Sequence, residues 1–410
     1  MIKCGLLGGK LPHSYSPQIH SLLGEYEYLL YEKREDELEA FIKSKEWDGL
    51  NVTIPYKKDV IKYLDSLGDT ALKAGSVNTV VRRSDGTLYG DNTDVYGFIK
   101  MVEHSGISVE GKKVLVLGSG GASVAVVTAL KQLNALPVII SRRGEDNYNN
   151  LEKHYDAEVI VNTTPVGMYP NVGNSPVEPE QFPHLKGVLD VIYNPSLTEL
   201  LLKAQRLGIK VENGLYMLVA QAKKSSEIFT GNTISDDVID RIYNKLNGNM
   251  KNIVLIGMPG VGKSTIAGEL AAITGRTVVD SDSEIYRRTG FTPKELITEK
   301  GENYFREVEK AVISDTGKES GLIIATGGGV VTREENYYSL HQNGNIIWLI
   351  RDLDKLDNTD RPLSQSKGVA VLYEQREPLY RKFADYVIIN EEDKKAVAHK
   401  ILSEIGRQDS

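Results

Sequence analysis

Eight residues from position 257, Gly257-Met-Pro-Gly260-Val261-Gly262-Lys263-Ser264, fit the pattern G-x-x-x-x-G-K-[ST]. An apolar run, Ile253 to Ile256, precedes them as a strand would, and a helix-like stretch, Thr265 to Ile273, follows. Glycines let such a loop wrap closely round a phosphate, with successive backbone N–H groups pointing inward. The pattern assigns Lys263 to the β- and γ-phosphates of a nucleotide and Ser264 to Mg2+. Gly257, Gly260, Val261, Gly262, Lys263, Ser264 and Thr265 are therefore the expected ATP contacts. A strand–loop–helix unit of this kind belongs in a parallel sheet flanked by helices. It begins past residue 250, so a whole further unit lies ahead of it.

The 410 residues suffice for two or three domains, each with its own core. A net charge of −7 argues against general binding to nucleic acid or a membrane surface, so an anionic ligand must be met by local basic groups. The single cysteine, Cys4, excludes an internal disulfide and a cysteine-based metal cluster, and reads as a small buried residue on the first strand. The seven histidines show no metal-ligand spacing, and His13 reads as a loop-structuring residue. No apolar run approaches the ~18 residues of a membrane span, and the first residues lack the apolar core of a signal peptide. A cytoplasmic enzyme is expected.

Strand-like and helix-like segments alternate almost throughout, as in α/β folds with parallel sheets. The clearest joint, residues 244–252, follows a helical stretch from Asp236 to Leu246 and reads as a linker of a few residues. Ahead of it lies a second nucleotide signature. Val114 to Leu117 reads as a strand, followed by Gly118-Ser-Gly120-Gly121-Ala122-Ser123, an apolar helix from Val124 to Leu133 and a strand from Pro137 to Ile140. This is a βαβ unit whose turn places a pyrophosphate on a helix N-terminus, with Ser123 where a third glycine is usual. An NAD-binding unit usually ends its second strand with Asp or Glu. Here that end reads Ser141-Arg142-Arg143, and guanidiniums suit the 2′-phosphate of NADP. Arg143 is equally well read as a solvated loop charge.

Three dense polar motifs come before residue 100: His13-Ser14-Tyr-Ser16-Pro17, Asn51-Val-Thr53-Ile-Pro55-Tyr-Lys57 and Gly90-Asp91-Asn92-Thr93-Asp94. Each follows or ends an apolar run, the position from which loops carry ligands at the edge of a sheet. Hydroxyls, amides, one Lys and one Asp suit a small polyhydroxy acid, and Asn78 adds another amide. With Val161 to Met168, Asp190 to Pro195 and Asn213 to Gln221, these motifs occur in the order seen in shikimate dehydrogenases, which the chain resembles over residues 1 to about 247. The resemblance implies NADP-dependent reduction of 3-dehydroshikimate to shikimate. It assigns Lys57 and Asp94 as the catalytic pair. Ser14 and Ser16 would hold the substrate carboxylate, Asn51, Thr53, Asn78 and Gln221 its hydroxyls, and Tyr193 would line the site. Gly118, Gly120, Gly121, Ala122, Ser141, Arg142, Arg143, Gly214 and Met217 would meet the cofactor. The family's usual Asn-Arg-Thr is Ser141-Arg142-Arg143 here, and Arg142 matches. Hydride delivery to a ketone builds charge on oxygen, which a positioned ammonium stabilises and protonates.

After the phosphate loop come the strand-like Thr277 to Val279, Asp280-Ser281-Asp282, then Phe305-Arg306-Glu-Val-Glu309. Strand-like Leu322 to Ala325 leads into Thr326-Gly327-Gly328-Gly329, and Arg361-Pro-Leu and Arg376-Glu-Pro-Leu-Tyr380 follow. In this order they resemble shikimate kinase over residues 251–410. The resemblance implies that Asp282, Arg306, Gly328 and Arg376 bind shikimate, with Glu309 holding Arg306. Ser264 and Asp280 would serve Mg2+, and Arg361, from a lid, the transferring phosphoryl group. The stretch from Arg361 to Arg376 is shorter than usual in that family.

The expected architecture is α/β. A two-lobed dehydrogenase has its substrate lobe in residues 1–98 plus 213–247 and a Rossmann-like NADP lobe in 99–212. A P-loop kinase domain over 251–410 follows. NADP(H), ATP and Mg2+ are the expected cofactors, and 3-dehydroshikimate and shikimate the small-molecule partners, with neither nucleic acid nor membrane. The kinase half is expected to be monomer-like, and the dehydrogenase half open to dimerisation. The alternative is a quinate-type dehydrogenase fused to another small-molecule P-loop kinase. Quinate use goes with NAD, and Arg142 argues against it.

Overall fold

Three sets of apolar runs become three sheets. The structure, a computed structural model, describes residues 1–11, 14–356 and 368–408. It divides into two compact units. One comprises Met1–Val166, Ser175–Tyr193 and Lys203–Tyr243, and the other Gly167–Asn174, Asn194–Leu202 and Asn244–Ser410. Among the described residues no helix is long and apolar enough to cross a membrane.

The first unit holds two sheets. Strands β1 (Lys3–Gly8), β2 (Glu27–Glu32), β3 (Gly49–Val52), β4 (Ser66–Leu67), β5 (Thr79–Arg82) and β6 (Leu88–Asp91) form one, in the order β2-β1-β3-β5-β6-β4. Leu7, Leu50, Val52 and Val80 pack here with Phe41, Ile42 and Trp47, and Cys4 is buried on β1. This sheet departs from the expected parallel pattern, because β5 runs antiparallel to both β3 and β6. The cause is local. Arg83 N bonds Thr87 O at 2.8 Å, Asp85 accepts from Thr87 N, and Gly86 takes φ +89°. Asp-Gly is a hairpin signal, since a positive φ costs glycine little.

The other sheet is wholly parallel. Its strands β7 (Lys113–Leu117), β8 (Leu136–Ile140), β9 (Val159–Asn162), β10 (Gly187–Asp190) and β11 (Lys210–Glu212) lie in the order β11-β10-β9-β7-β8. The order in which strands are added reverses between β7 and β9, and such a switch point opens a crevice at the carboxyl ends of the strands. The helix after β7 spans Gly121–Gln132, three residues earlier than the sequence suggested, so Gly121 and Ala122 stand in its first turn. Helices Thr93–Ser105 and Leu215–Thr230 pack tightly where Gly97 allows it. A Cβ at Gly97 would lie 2.7 Å from Met217 O and 2.9 Å from Gln221 Cβ.

In the second unit β12 (Asn252–Ile256), β13 (Val278–Asp280), β14 (Ile323–Ala325), β15 (Gly344–Ile350) and β16 (Tyr386–Ile389) form a parallel sheet ordered β13-β14-β12-β15-β16. Its core gathers Ile253 to Ile256, Ile323, Trp348 and Tyr380. The joint read as a linker is helical instead: one helix runs Asp237–Met250. Leu246 and Met250, four apart, are buried. Arg276 donates to the carbonyls of Gly248 and Lys251, and Gly321 N bonds Met250 O. Packing and these bonds outweigh the poor helix propensity of Asn-Gly-Asn.

Candidate active sites

Lys57 follows β3 in a turn pinned on both sides. Tyr56 is buried and donates to Lys33 O at 2.5 Å, and Val77 N bonds Lys57 O at 2.8 Å. The ammonium so placed lies 2.6 Å from Asp94 Oδ2, with side-chain exposures of 16% and 11%. Asp94 stands in the first turn of helix Thr93–Ser105, where the N-cap Asn92 accepts from its N–H and a carboxylate is favoured. Asn78 Nδ2 donates to Asp94 Oδ1 at 2.9 Å and to Thr93 Oγ1 at 3.0 Å, while its Oδ1 accepts from Thr93 N at 2.7 Å. Low solvent access strengthens such charge-assisted bonds.

Asn51 is buried at the end of β3. Its Oδ1 accepts from Tyr28 Oη at 2.8 Å, and its Nδ2 donates to Ser225 Oγ at 2.8 Å. The hydroxyl of Ser16 lies beside the same Tyr28 phenol, and Ser14 Oγ accepts from Ser16 N. Thr53 N bonds Leu7 O, which sets Thr53 against Gly8. Gln221, half-buried on helix Leu215–Thr230, donates to Leu218 O. Tyr193 meets Tyr15 edge to face with ring centres 6.0 Å apart. His13 lies outside the described residues.

The dinucleotide-type turn meets this cluster. A Cβ on Gly121 would lie 3.6 Å from Lys57 Cδ. Gly118 takes φ +107°, and a Cβ there would lie 2.9 Å from Thr163 Oγ1, which follows β9. Gly214 presses on the backbone of Val191, and Met217 is buried behind it. Arg142 and Arg143 are exposed beyond β8, where Ser141 N bonds Asp146 O.

In the second unit the phosphate loop closes on itself. Gly257 and Gly262 take φ +142° and +97°. Lys263 Nζ donates to Gly257 O at 2.9 Å and Met258 O at 3.0 Å. Ser264 Oγ donates to Asp280 Oδ2 at 2.8 Å. The other oxygen of Asp280 caps helix Ser281–Thr289 through Asp282 N and Ser283 N. The two candidate metal residues are thus adjacent, and the same carboxylate orients the helix that bears Asp282. Thr265 is exposed beside them, and Val261 is held by Asn390 Nδ2 on its carbonyl at 2.6 Å.

The triple glycine is demanded by close approach rather than by a flexible turn. A Cβ at Gly327 would lie 2.9 Å from both Asp282 Oδ1 and Glu309 Oε1, one at Gly328 would meet the Pro259 ring, and one at Gly329 would overlap the Arg306 guanidinium. Arg306 Nη1 lies 2.6 Å from Glu309 Oε2. Glu309 is fully buried; burial pushes its pKa up, and the guanidinium opposes that shift. Arg376 Nη1 donates to Gly328 O at 3.1 Å, and the buried Tyr380 hydroxyl donates to the same carbonyl. Burial raises the Tyr380 pKa to about 12, so the phenol keeps its proton. Arg361 lies outside the described residues. Among those described, no three His, Cys, Asp or Glu side chains converge as a metal cage.

Sequence reading missed Ser225, Tyr28, Thr79 and Asn390. Ser225 carried a signal, since it lies one helical turn beyond Gln221 and so on the same face. Asn390 is the polar residue just past the last apolar strand. Thr79 closes the motif Gly75-Ser-Val-Asn78-Thr79 without having been given a role, and nothing local marked Tyr28.

Two family models match this chain. Residues 6–80 match the family model for the shikimate dehydrogenase substrate binding domain, and residues 259–406 match shikimate kinase. A shikimate dehydrogenase (NADP(+)) of Clostridium perfringens is 35% identical over 264 residues, 59% of this chain and 97% of that protein. The crystal structure of shikimate dehydrogenase 1 from Peptoclostridium difficile is 40% identical, with a TM-score of 0.55 over 60% of this chain and 98% of that one. That of the Thermus thermophilus enzyme, in complex with NADP(H) and shikimate, is 30% identical, with a TM-score of 0.55 over 60% and 99%. The chain belongs to the shikimate dehydrogenase family and carries a shikimate kinase domain behind its dehydrogenase part.

Proposed function

We propose that this chain catalyses two consecutive reactions, NADPH-dependent reduction of 3-dehydroshikimate to shikimate and ATP-dependent phosphorylation of shikimate to shikimate 3-phosphate. The observation that carries the reading is the Lys57–Asp94 pair, with the dinucleotide turn packed against the lysine stem. The substrate lobe is residues 1–98 plus 213–247, the NADP lobe 99–212 and the kinase domain 251–410.

NADPH, when bound, supplies the hydride. Lys57 gives its proton to the carbonyl oxygen as charge develops there, and Asp94 fixes Nζ in place. Asn51, Asn78, Thr53 and Gln221 orient the ring, and Ser14 and Ser16 take the carboxylate. Arg142, exposed at the end of β8, meets the 2′-phosphate.

In the kinase, Asp282 accepts the proton of the attacking hydroxyl, and Arg306 and Arg376 grip the acceptor's carboxylate. Lys263 leaves its own loop carbonyls for the β- and γ-phosphates. Ser264 and Asp280 offer one hydroxyl and one carboxylate, an oxygen set that suits Mg2+ shared with nucleotide phosphates. The metal would supply charge neutralisation there.

Purified protein with 3-dehydroshikimate, NADPH and MgATP should form shikimate 3-phosphate, one per NADPH oxidised. NADPH oxidation that stops at shikimate would reject the kinase half of the proposal. Phosphorylation of added shikimate without NADPH oxidation would reject the reductase half.

A further inference from the structure

Ser225 is fully buried at the centre of a hydroxyl cluster that joins three strands and two helices. Its Oγ donates to Gln221 O at 2.9 Å, one turn back in its own helix. It lies 2.8 Å from Thr79 Oγ1, 2.9 Å from Thr93 Oγ1 and 2.8 Å from Asn51 Nδ2. A serine hydroxyl has one proton. With that proton on Gln221 O, Ser225 turns lone pairs toward Asn51, whose amide nitrogen meets it.

The opposite end agrees. Burial holds the Tyr28 phenol well above its usual pKa, so it stays protonated and donates to Asn51 Oδ1. The second amide proton of Asn51 is turned inward, toward Asn78 O and Thr79 Oγ1, each at 3.4 Å. What remains of the Asn51 amide is a lone pair on oxygen, on the side of Tyr28 and Ser16. An amide fixed in this way accepts a hydrogen bond and cannot offer one, so it reads a hydroxyl rather than a carbonyl of the ligand.

We propose that Ser225 is a positioning residue for the reductase, which locks the Asn51 amide with its oxygen as the substrate-reading atom and thereby selects a ring hydroxyl. The inference rests on the reading that Asn51 meets the substrate. Through Thr93 the same hydroxyl also braces Asn78, which holds Asp94.

The test is steady-state kinetics of the full chain, with the kinase activity as an internal control for folding. Ser225→Ala should raise KM for 3-dehydroshikimate on the order of tenfold, leave KM for NADPH and the kinase rate within about twofold, and change kcat less than KM. Ser225→Thr, which keeps the hydroxyl, should recover most of the loss. An unchanged KM for 3-dehydroshikimate in Ser225→Ala overturns the proposal, as does a parallel loss against both substrates. If Ser225→Ala does not fold, Thr79→Val, which removes one partner of the same hydroxyl, should give a smaller rise in the same KM, and no rise overturns the proposal. Asn51→Ala separates the two levels. If it leaves KM unchanged, the substrate-contact reading itself falls. If it raises KM while Ser225→Ala does not, only the positioning role falls.

Discussion

Lys57 and Lys263 are both largely withdrawn from solvent, yet they keep different company. The ammonium of Lys57 is 2.6 Å from a carboxylate that is itself capped and bonded to Asn78. That of Lys263 donates to two carbonyls of its own loop. The same contrast runs through the rest of each site. Asn51 and Asn78 are clamped by neighbouring hydroxyls, and Asn78 in turn orients Asp94, whereas Arg376 and Tyr380 hold the carbonyl of Gly328, in the loop assigned to the acceptor. A reductase site must present one proton donor in a fixed place, and a paired lysine does so before any ligand arrives. A phosphoryl-transfer site must take in several negative charges. Donors parked on backbone carbonyls stay satisfied until phosphate replaces those acceptors. On the proposed roles, the first site is assembled in advance, and the second completes itself by exchanging partners.

The largest effect should come from removing the assembled donor. Lys57→Ala should lower kcat/KM for 3-dehydroshikimate by roughly 10²–10⁴, the usual loss for a general acid, and spare the kinase. A fall of less than tenfold, measured by NADPH oxidation, would mean that the preformed pair is not the proton source and that the contrast has no catalytic content.

Next comes the lysine that must change partners. Lys263→Ala should lower phosphoryl transfer by roughly 10²–10³ with reductase activity intact. Asp282→Asn should also stop turnover but retain ATP binding in calorimetry, as expected if Asp282 serves the acceptor. Loss of ATP binding in Asp282→Asn would require the roles of Asp280 and Asp282 to be exchanged, and would bind the two halves of the kinase site more tightly than described above.

How much of this was legible in the sequence follows the range of the forces involved. The strands before both glycine-rich turns were plain, because Val114 to Leu117 and Ile253 to Ile256 are buried on both faces and read as unbroken apolar runs. The antiparallel β5–β6 hairpin was signalled by Asp85-Gly86, but an alternating α/β pattern hid it. The helical joint was hidden by composition. Asn247, Gly248 and Asn249 look like a coil, and Arg276 and Gly321, far along the chain, help to hold this joint helical. In the sites, the motif residues proposed to meet ligands could be named because chemistry restricts their types. The residues that hold them were not. Ser225 is 174 positions from Asn51 and Asn390 is 129 from Val261, and a lone Ser or Asn gives no hint of its partner.

A third effect, intermediate in size, concerns Arg142. Unlike the clamped amides it is exposed, beyond the end of β8. A charge-assisted bond is worth about 1.5–3 kcal/mol, so Arg142→Ala should raise KM for NADPH on the order of 10–150-fold and that for NADH far less. Equal effects on both would show that the guanidinium does not touch the 2′-phosphate. They would also confine the preassembled part of the site to the substrate side.

The smallest expected effect is the most direct test of partner exchange. Tyr380 is fully buried, stacks on Trp348 and places its hydroxyl between Gly328 O and the sulfur of Met258, 3.8 Å away in the phosphate loop. Tyr380→Phe keeps the ring and its packing and deletes only the donor. Arg376 then remains the described partner of the Gly328 carbonyl, and each time the arginine leaves for an acceptor carboxylate that carbonyl is stranded. A net hydrogen bond is worth about 0.5–1.5 kcal/mol, so KM for shikimate should rise roughly two- to twelvefold. The KM for ATP should change less, because the phosphate loop keeps its own bonds to Lys263 and Asn390. If instead KM for shikimate is unchanged while that for ATP rises, the hydroxyl serves the phosphate loop through Met258. The acceptor loop would then be as rigidly prepared as the reductase pocket, and the distinction between the two sites would shrink to Lys263 alone.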